Sequence, residues 1–216
     1  MTVFDDQYFV SIMPFGDDQL YLKPDEKTFN RRYTYKKMDQ GGAPLFFENA
    51  FKERDIRDGK SHPITSVLMN GSNLLVNNAI RDKLKFKDIQ GMQLYPAIYI
   101  DDDFKWHEEH WFLNFYEAID CWDRDTSTIE SYDDEDEDED DDDPIELDSE
   151  VIRYRLDADI LDKIPEERRL MFKMGGALKS YIFVHQKVVD LFKDCDAVGV
   201  RFIKVSEFKE GDQFRA

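Results

Sequence analysis

His107-Glu108-Glu109-His110 sets two imidazoles three residues apart between Trp106 and Trp111, a spacing that lets them share a transition metal if the segment is helical. A zinc-protease helix needs a spacing of four, and no third ligand stands nearby, so a polar loop leading into a strand is preferred to a metal site. His62 and His185 stand alone. Asp101-Asp102-Asp103 and the eleven consecutive acids from Asp133 to Asp143 supply hard oxygen ligands of the kind calcium takes. Both lack the glycine and alternating spacing of a calcium loop, and solvated charge is the expectation. Arg31-Arg32-Tyr33-Thr34-Tyr35-Lys36-Lys37 interleaves basic and aromatic residues as nucleic-acid surfaces do, but in so acidic a chain an exposed strand with basic outward positions is the better reading. No Gly-rich phosphate loop, Gly-x-Ser-x-Gly elbow or Cys-x-x-Cys is present. Acid pairs are too numerous for any two to be singled out for general acid and base work. These features point to binding and not to catalysis, with no catalytic residue, cofactor or resident metal expected.

Composition bounds the partner. The 216 residues carry 48 acidic against 29 basic side chains, a net charge of −19, so a phosphate backbone or an anionic membrane would repel the chain. Removing the eleven acids of the 133–143 run still leaves −8. A basic protein is the partner such a surface steers. Seventeen Phe and ten Tyr within 41% hydrophobic content promise a filled core at a length that needs no disulfides. Cys121 and Cys195 are read as small buried residues in a reducing compartment. The opening residues lack a basic region and apolar run, and no stretch reaches 18 apolar residues, so the cytoplasm is the expected location.

The elements that must position these residues follow from pattern. Tyr8 to Met13 and Gln19 to Lys23 read as a hairpin about Phe15-Gly16-Asp17-Asp18. Phe29 to Tyr35 and Pro44 to Phe51 read as further strands, making residues 1–63 a β-rich N-terminal part. Trp111 to Trp122 reads as one long buried strand or, alternatively, a buried helix. Val151 to Leu156 and Leu170 to Met174 are shorter strands, and the acidic run is a solvated, disordered loop.

The strongest signal is a gapless internal repeat with an offset of 108 residues, in which Ser72 to Ala97 lies over Ser180 to Val205 with six identities in 26 positions. They are Ser72/Ser180, Val76/Val184, Asp82/Asp190, Lys85/Lys193, Asp88/Asp196 and Gly91/Gly199. In each copy a short apolar run precedes apolar residues at helical spacing, Ala79, Ile80 and Leu84 or Val188, Leu191 and Phe192. A glycine then leads into a second strand. Asn77 is the predicted N-cap of the first helix. The fold expected is α+β, with mixed or antiparallel sheets, a few helices and a duplicated strand-helix-strand unit.

Trp111-Phe-Leu-Asn114 through Asp120-Cys-Trp-Asp123, and Tyr181-Ile-Phe-Val184 through Gly199-Val-Arg-Phe-Ile-Lys-Val205, resemble a family of bacterial immunity proteins encoded beside polymorphic and type VI secreted toxins. The resemblance covers roughly residues 64 to 207, a unit that residues 1–63 either precede or continue as one domain. Where the family has Ser at the helix start, this chain has Asn77 and His185. The resemblance implies a non-enzymatic antidote that holds a cognate toxin inactive, with acidic and aromatic side chains at the interface. Asp101, Asp102, Asp103, Trp106, Trp111, Tyr116, Asp120 and Trp122 are the residues expected to face it. The competing reading is an acidic adaptor or regulatory domain whose aspartate run recruits basic proteins or mimics nucleic acid.

Overall fold

The computed structural model describes residues 2–16, 19–131 and 149–215; the acidic run 133–143 lies outside the described residues. In chain order the elements are α1 (Val3–Gln7), β1 (Tyr8–Ile12), β2 (Leu22–Pro24), α2 (Glu26–Asn30), β3 (Leu45–Asn49), α3 (Lys52–Arg57), β4 (Val67–Asn70), β5 (Asn73–Asn77), α4 (Asn78–Leu84), β6 (Met92–Ile100) and β7 (Trp106–Phe115). After these come β8 (Ala118–Ile119), β9 (Thr128–Ser131), β10 (Ser149–Arg153), α5 (Ala158–Leu161), β11 (Met171–Met174), β12 (Ile182–His185), α6 (Gln186–Lys193) and β13 (Arg201–Lys204). The architecture is mixed α+β. One sheet runs β2-β3-β6-β7-β5-β4, a second runs β13-β1-β12-β11-β8, and β9 pairs with β10.

The repeat is a duplication of the sheet as well as of the sequence. In the first copy β5, α4 and β6 form a strand-helix-strand whose two strands are held apart by β7, antiparallel to both. In the second copy β12, α6 and β13 do the same around β1, which arrives from the opposite end of the chain. The registers agree residue by residue. Val76 faces Trp111 and Val184 faces Phe9; Leu94 faces Leu113 and Phe202 faces Ser11. The next strand out also corresponds, Val67 opposite Val76 and Met171 opposite Val184. The likeness therefore reaches four strands and a helix, more than the sequence alignment covers.

The helices begin alike. Asn77 Oδ1 accepts the backbone N–H of Ile80 at 3.1 Å, as its sequence position predicts. At the matching place His185 Nδ1 accepts the N–H of Lys187 at 3.2 Å. Both copies approach the second strand through a left-handed glycine, φ 66° at Gly91 and 103° at Gly199.

Alternation along the strands divides the interior. Leu74, Val76, Ile182 and Val184 face a central core with Ile80, Leu84, Val188 and Phe192 of the two helices, while Leu75 and Phe183 face outer cores on the far sides of their sheets. The first outer core holds Leu45, Phe47, Tyr99 and Phe112; the second holds Tyr8, Trp122, Tyr154 and Phe172.

Several local expectations give way. Residues 8–13 and 19–23 do not form a hairpin, because β1 and β2 lie in different sheets. All five residues of β1 are buried, the mark of an interior strand covered on both faces and not of a half-exposed hairpin arm. The segment 29–35 is not a strand. Asp25 caps α2 by accepting the N–H of Thr28, and the chain then turns through left-handed Arg32 and Tyr35. With α1, α2 and α3 among them, the first sixty residues are not predominantly β. The strand expected at 111–122 begins at Trp106 and ends at Phe115, which removes the helical alternative and places His107 to His110 in β7 instead of a loop. Cys121 is buried, and burial pushes its thiol pKa up; Cys195 is only half-buried.

Candidate functional site

The β6–β7 turn carries Asp101, Asp102, Asp103 and Trp106 together at one end of the six-stranded sheet. Asp101 builds the turn. Its Oδ1 accepts the backbone N–H of Asp103 at 3.0 Å and of Lys105 at 2.9 Å, and its Oδ2 is 2.8 Å from His107 Nε2. Burial pushes the Asp101 pKa up, but the bonds from His107, Lys105 and Asp103 outweigh it and hold the carboxyl below its ordinary value. Phe104 sits at φ 63°, a left-handed conformation that aims its ring outward, 75% exposed.

Beneath the turn lies a polar network that no local motif announces. Asn49, 1% exposed, donates to Asp102 Oδ2 at 3.1 Å and to Asp55 Oδ2 at 3.0 Å, while its own carbonyl accepts the N–H of Phe51. Asp55, also 1% exposed, lies 2.9 Å from His62 Nε2. Burial raises the Asp55 pKa; hydrogen bonds from Asn49, His62 and Arg54 more than offset this, and the carboxyl titrates low. The β6–β7 turn is thereby tied to α3 and the end of β3. Lys52 Nζ, 3.8 Å from the centre of the Phe104 ring, adds a cation–π contact across the same seam.

The outer surface of this tip is aromatic and charged, with the Arg54 guanidinium 4.2 Å from the centre of the Phe51 ring. Phe51, Phe104 and Trp106 are 42%, 75% and 53% exposed, and the Trp106 ring packs edge-on against Phe46 at 5.4 Å. A β-bulge between the pairs Ala97↔His110 and Tyr99↔His107 inserts one extra residue into β7. On a regular strand positions 107 and 110 would point to opposite faces; the bulge turns both imidazoles inward and leaves Glu108 and Glu109 side by side in solvent. His107 stacks on Tyr99 at 5.7 Å, and His110 Nε2 is 3.5 Å from the Thr65 carbonyl. Burial, the larger effect, lowers the His110 pKa and keeps the ring neutral. Among the described residues no group of three or more His, Cys, Asp or Glu is placed to hold a metal ion.

The other expected site residues lie elsewhere. Trp111 and Tyr116 flank a separate cleft beside the first half of β6. Asp120 and Trp122 follow β8, beyond the end of the second sheet: Asp120 pairs with Arg124 through two contacts of 2.7 Å, and Trp122, bridged to Leu156, is 7% exposed with Nε1 donating to the Gly176 carbonyl. Trp122 is thus a core residue. Arg31 to Lys37 forms a loop over β6 and β7 in place of the expected exposed strand, with Tyr33 buried edge-on against Phe47 and Phe112.

The duplicated α+β scaffold thus presents rigidly backed aromatic and charged side chains at one tip. The model of an immunity protein family, Imm11, matches residues 16–207, and the chain belongs to that family. The match begins well before residue 64, so the family likeness takes in β2, β3 and α3 along with both repeats. No curated protein matches the chain. No helix among the described residues is long and apolar enough to cross a membrane.

Proposed function

We propose that this chain binds and neutralises a cognate secreted bacterial toxin, one of the polymorphic or type VI secreted kind, without turning over any substrate. The observation that carries the reading is the tip itself. Phe51, Phe104 and Trp106 stand in solvent while Asn49, Asp55 and Asp101 fix the backbone under them. Large side chains already held in place lose little entropy on binding, which is what an interface anchor requires. Asp103, Glu108 and Glu109 are exposed on the same turn and strand, alongside Lys105 and the cations Lys52 and Arg54, and with a net charge of −19 over the chain the favoured partner is a basic protein, such as a nuclease with an electropositive cleft. The toxin would be met in the cytoplasm of the producing cell, with no part for nucleic acid or membrane.

The test is co-expression. A toxin domain encoded beside this gene should arrest a bacterial host, and this chain should restore growth. Failure of a folded chain to protect against an active toxin would favour the acidic adaptor reading.

A further inference from the structure

We infer that the cleft beside Trp111 and Tyr116 is a second binding site, one that takes an acidic segment of a protein partner. The cleft has a volume of about 510 Å³ and is lined by Lys37, Lys85 and Lys87 together with Tyr95, Trp111 and Tyr116. Among the described residues no Asp or Glu lines it; of its lysines, Lys85 pairs with Asp82 at 2.8 Å. It is a basic, aromatic recess on a chain of net charge −19.

The topology makes the recess. β3 pairs with β6 only from Ala97 onward, so Met92 to Pro96 have β7 on one side and no strand on the other. Pro96, with no N–H to give, suits such an edge. The 36–43 loop stands off this edge and is pinned: Gln93 exchanges bonds of 2.9 and 2.8 Å with the N–H and carbonyl of Met38, Asn114 Nδ2 donates to the Lys36 carbonyl at 2.8 Å, and Tyr95 Oη donates to the Ala43 carbonyl at 3.1 Å. Gly42 is required at its closest approach, where a Cβ would stand 2.7 Å from Tyr95 Oη. Lys37 therefore forms one wall and the end of α4, with Lys85 and Lys87, the other. Trp111 is also fixed, its Nε1 donating to Asn78 Oδ1 at 2.8 Å and the Arg81 guanidinium lying 4.2 Å from its ring centre.

Ammonium groups on flexible stems suit carboxylates, which need no planar two-point partner. A long polyanion approaching this cleft would meet the whole −19 charge, whereas a short acidic segment is shielded from distant charges by a screening length of about 8 Å at physiological salt. A protein segment rich in Asp or Glu is the occupant that fits both facts. This inference uses neither the tip nor the toxin reading.

The experiment titrates an octaglutamate peptide into the full chain and follows the three Trp indole N–H resonances by NMR, assigning Trp111 by its loss in Trp111→Phe. The Trp111 signal should shift saturably while those of Trp106 and Trp122 stay in place, and the double variant Lys37→Glu, Lys87→Glu should weaken binding by at least about tenfold with a melting temperature within a few degrees of the parent. Binding that ignores the charge reversal, or leaves Trp111 unmoved, would overturn the proposal. So would an octathymidylate that binds the same place as tightly, which would make the site a nucleic-acid contact. A tenfold gain in peptide affinity on deleting 133–143 would also overturn it, assigning the cleft to the chain's own acidic run.

Discussion

Ser72 Oγ donates to the carbonyl of Ser180 at 3.0 Å, and these are equivalent positions of the repeat. Two equivalent residues touch one another only where the two units meet about an approximate two-fold axis. Reciprocal contacts agree: Val198, just before Gly199, accepts the N–H of Val67 in the first unit, and Gln90, just before Gly91, donates to the carbonyl of Arg168 leading into the second. α4 and α6 pack together across the same junction. The central core lies between the two units, and the two glycines are joints, Gly199 against Val67 of the other unit and Gly91 against Glu117 of its own.

Those joints predict unequal costs. A Cβ at Gly199 would collide with the backbone carbonyl of Val67, an atom fixed in β4, and with Thr65, whereas at Gly91 it would meet Glu117 Cβ, also held by its backbone but at a less severe approach and on an exposed residue that can shift with its turn. Both positions also carry a positive φ. Gly91→Ala should cost about 1–3 kcal/mol and Gly199→Ala more than about 3 kcal/mol, read as the difference in urea unfolding free energy. Equal losses would mean that conformation alone, and not the packing between units, sets the requirement.

The helix starts and glycine exits were legible because each is a local signal: an apolar run, a capping residue, helical spacing, a glycine. What the sequence hid was pairing between distant segments. Nothing near Tyr8 to Ile12 says that this strand fills a place between β12 and β13, since the information lies in hydrogen bonds spanning most of the chain. The bulge that turns His107 and His110 to one side was equally invisible, because alternation assumes an unbroken ladder. Asp101, Asp102, Asp103 and Trp106 stand out in the sequence by residue type, and the structure gathers them at one turn, but nothing in the sequence points to Asn49, Asp55 and His62 beneath it. They lie far apart in sequence from the turn they support.

The cap at His185 makes stability depend on pH. Burial lowers its pKa, as it does that of His110. An unfolded imidazole takes its proton near pH 6.5 while the folded one resists, so the unfolded state binds more protons and stability falls as pH drops below about 6.5 toward the folded pKa values. Protonation also removes the Nδ1 acceptor that holds Lys187 N–H. His185→Asn, which caps without titrating, should flatten the stability profile between about pH 7 and 5.5. Asp55 and Asp101, held below their ordinary values, shift the balance in a separate window: their contribution is present above the ordinary carboxylate pKa of 3.8 and is lost as pH falls through the folded values. A profile unchanged by His185→Asn in the upper window would remove the cap from the account.

Asn49 is the hinge pin of the tip. Its amide serves Asp55 and Asp102 at once, and truncation leaves the buried Asp55 short of a donor and Asp102 untied. Asn49→Ala should destabilise by about 1–3 kcal/mol. Amide exchange in 101–105 should rise more than exchange in the helices α4 and α6. Protection lost evenly across the chain would show that Asn49 supports the whole fold instead of this turn.

Deletion of Asp133 to Asp143 should leave the melting temperature within a few degrees or raise it. Ser131 and Ser149 are already paired across β9 and β10, and six residues would remain to join them, enough for a hairpin connection. Loop length itself costs little, and removing eleven like charges relieves repulsion. A large fall in melting temperature would show that the run holds structure or an ion.

For toxin binding, the tip predicts a division of labour between rate and affinity. Charge acts at a distance, so the −8 outside the acidic run should speed encounter with a basic toxin, and raising salt should slow association strongly. Aromatic anchors act only on contact, so dissociation should respond little to salt but sharply to truncation. Phe104 is 75% exposed, so Phe104→Ala should leave stability within about 0.5 kcal/mol of the parent, while Trp106→Ala, which also removes packing on Phe46, should cost about 1–2 kcal/mol and leave the chain folded. Each should speed dissociation by roughly tenfold or more, matching a loss of at least about 1.4 kcal/mol, and together they should abolish rescue of growth. Trp122→Phe provides the contrast, because its indole is committed to the Gly176 carbonyl inside the second outer core: stability should drop while the toxin affinity of the folded fraction holds. Tip variants that protect the host as well as the parent does, at equal expression, would move the toxin contact away from this end of the molecule.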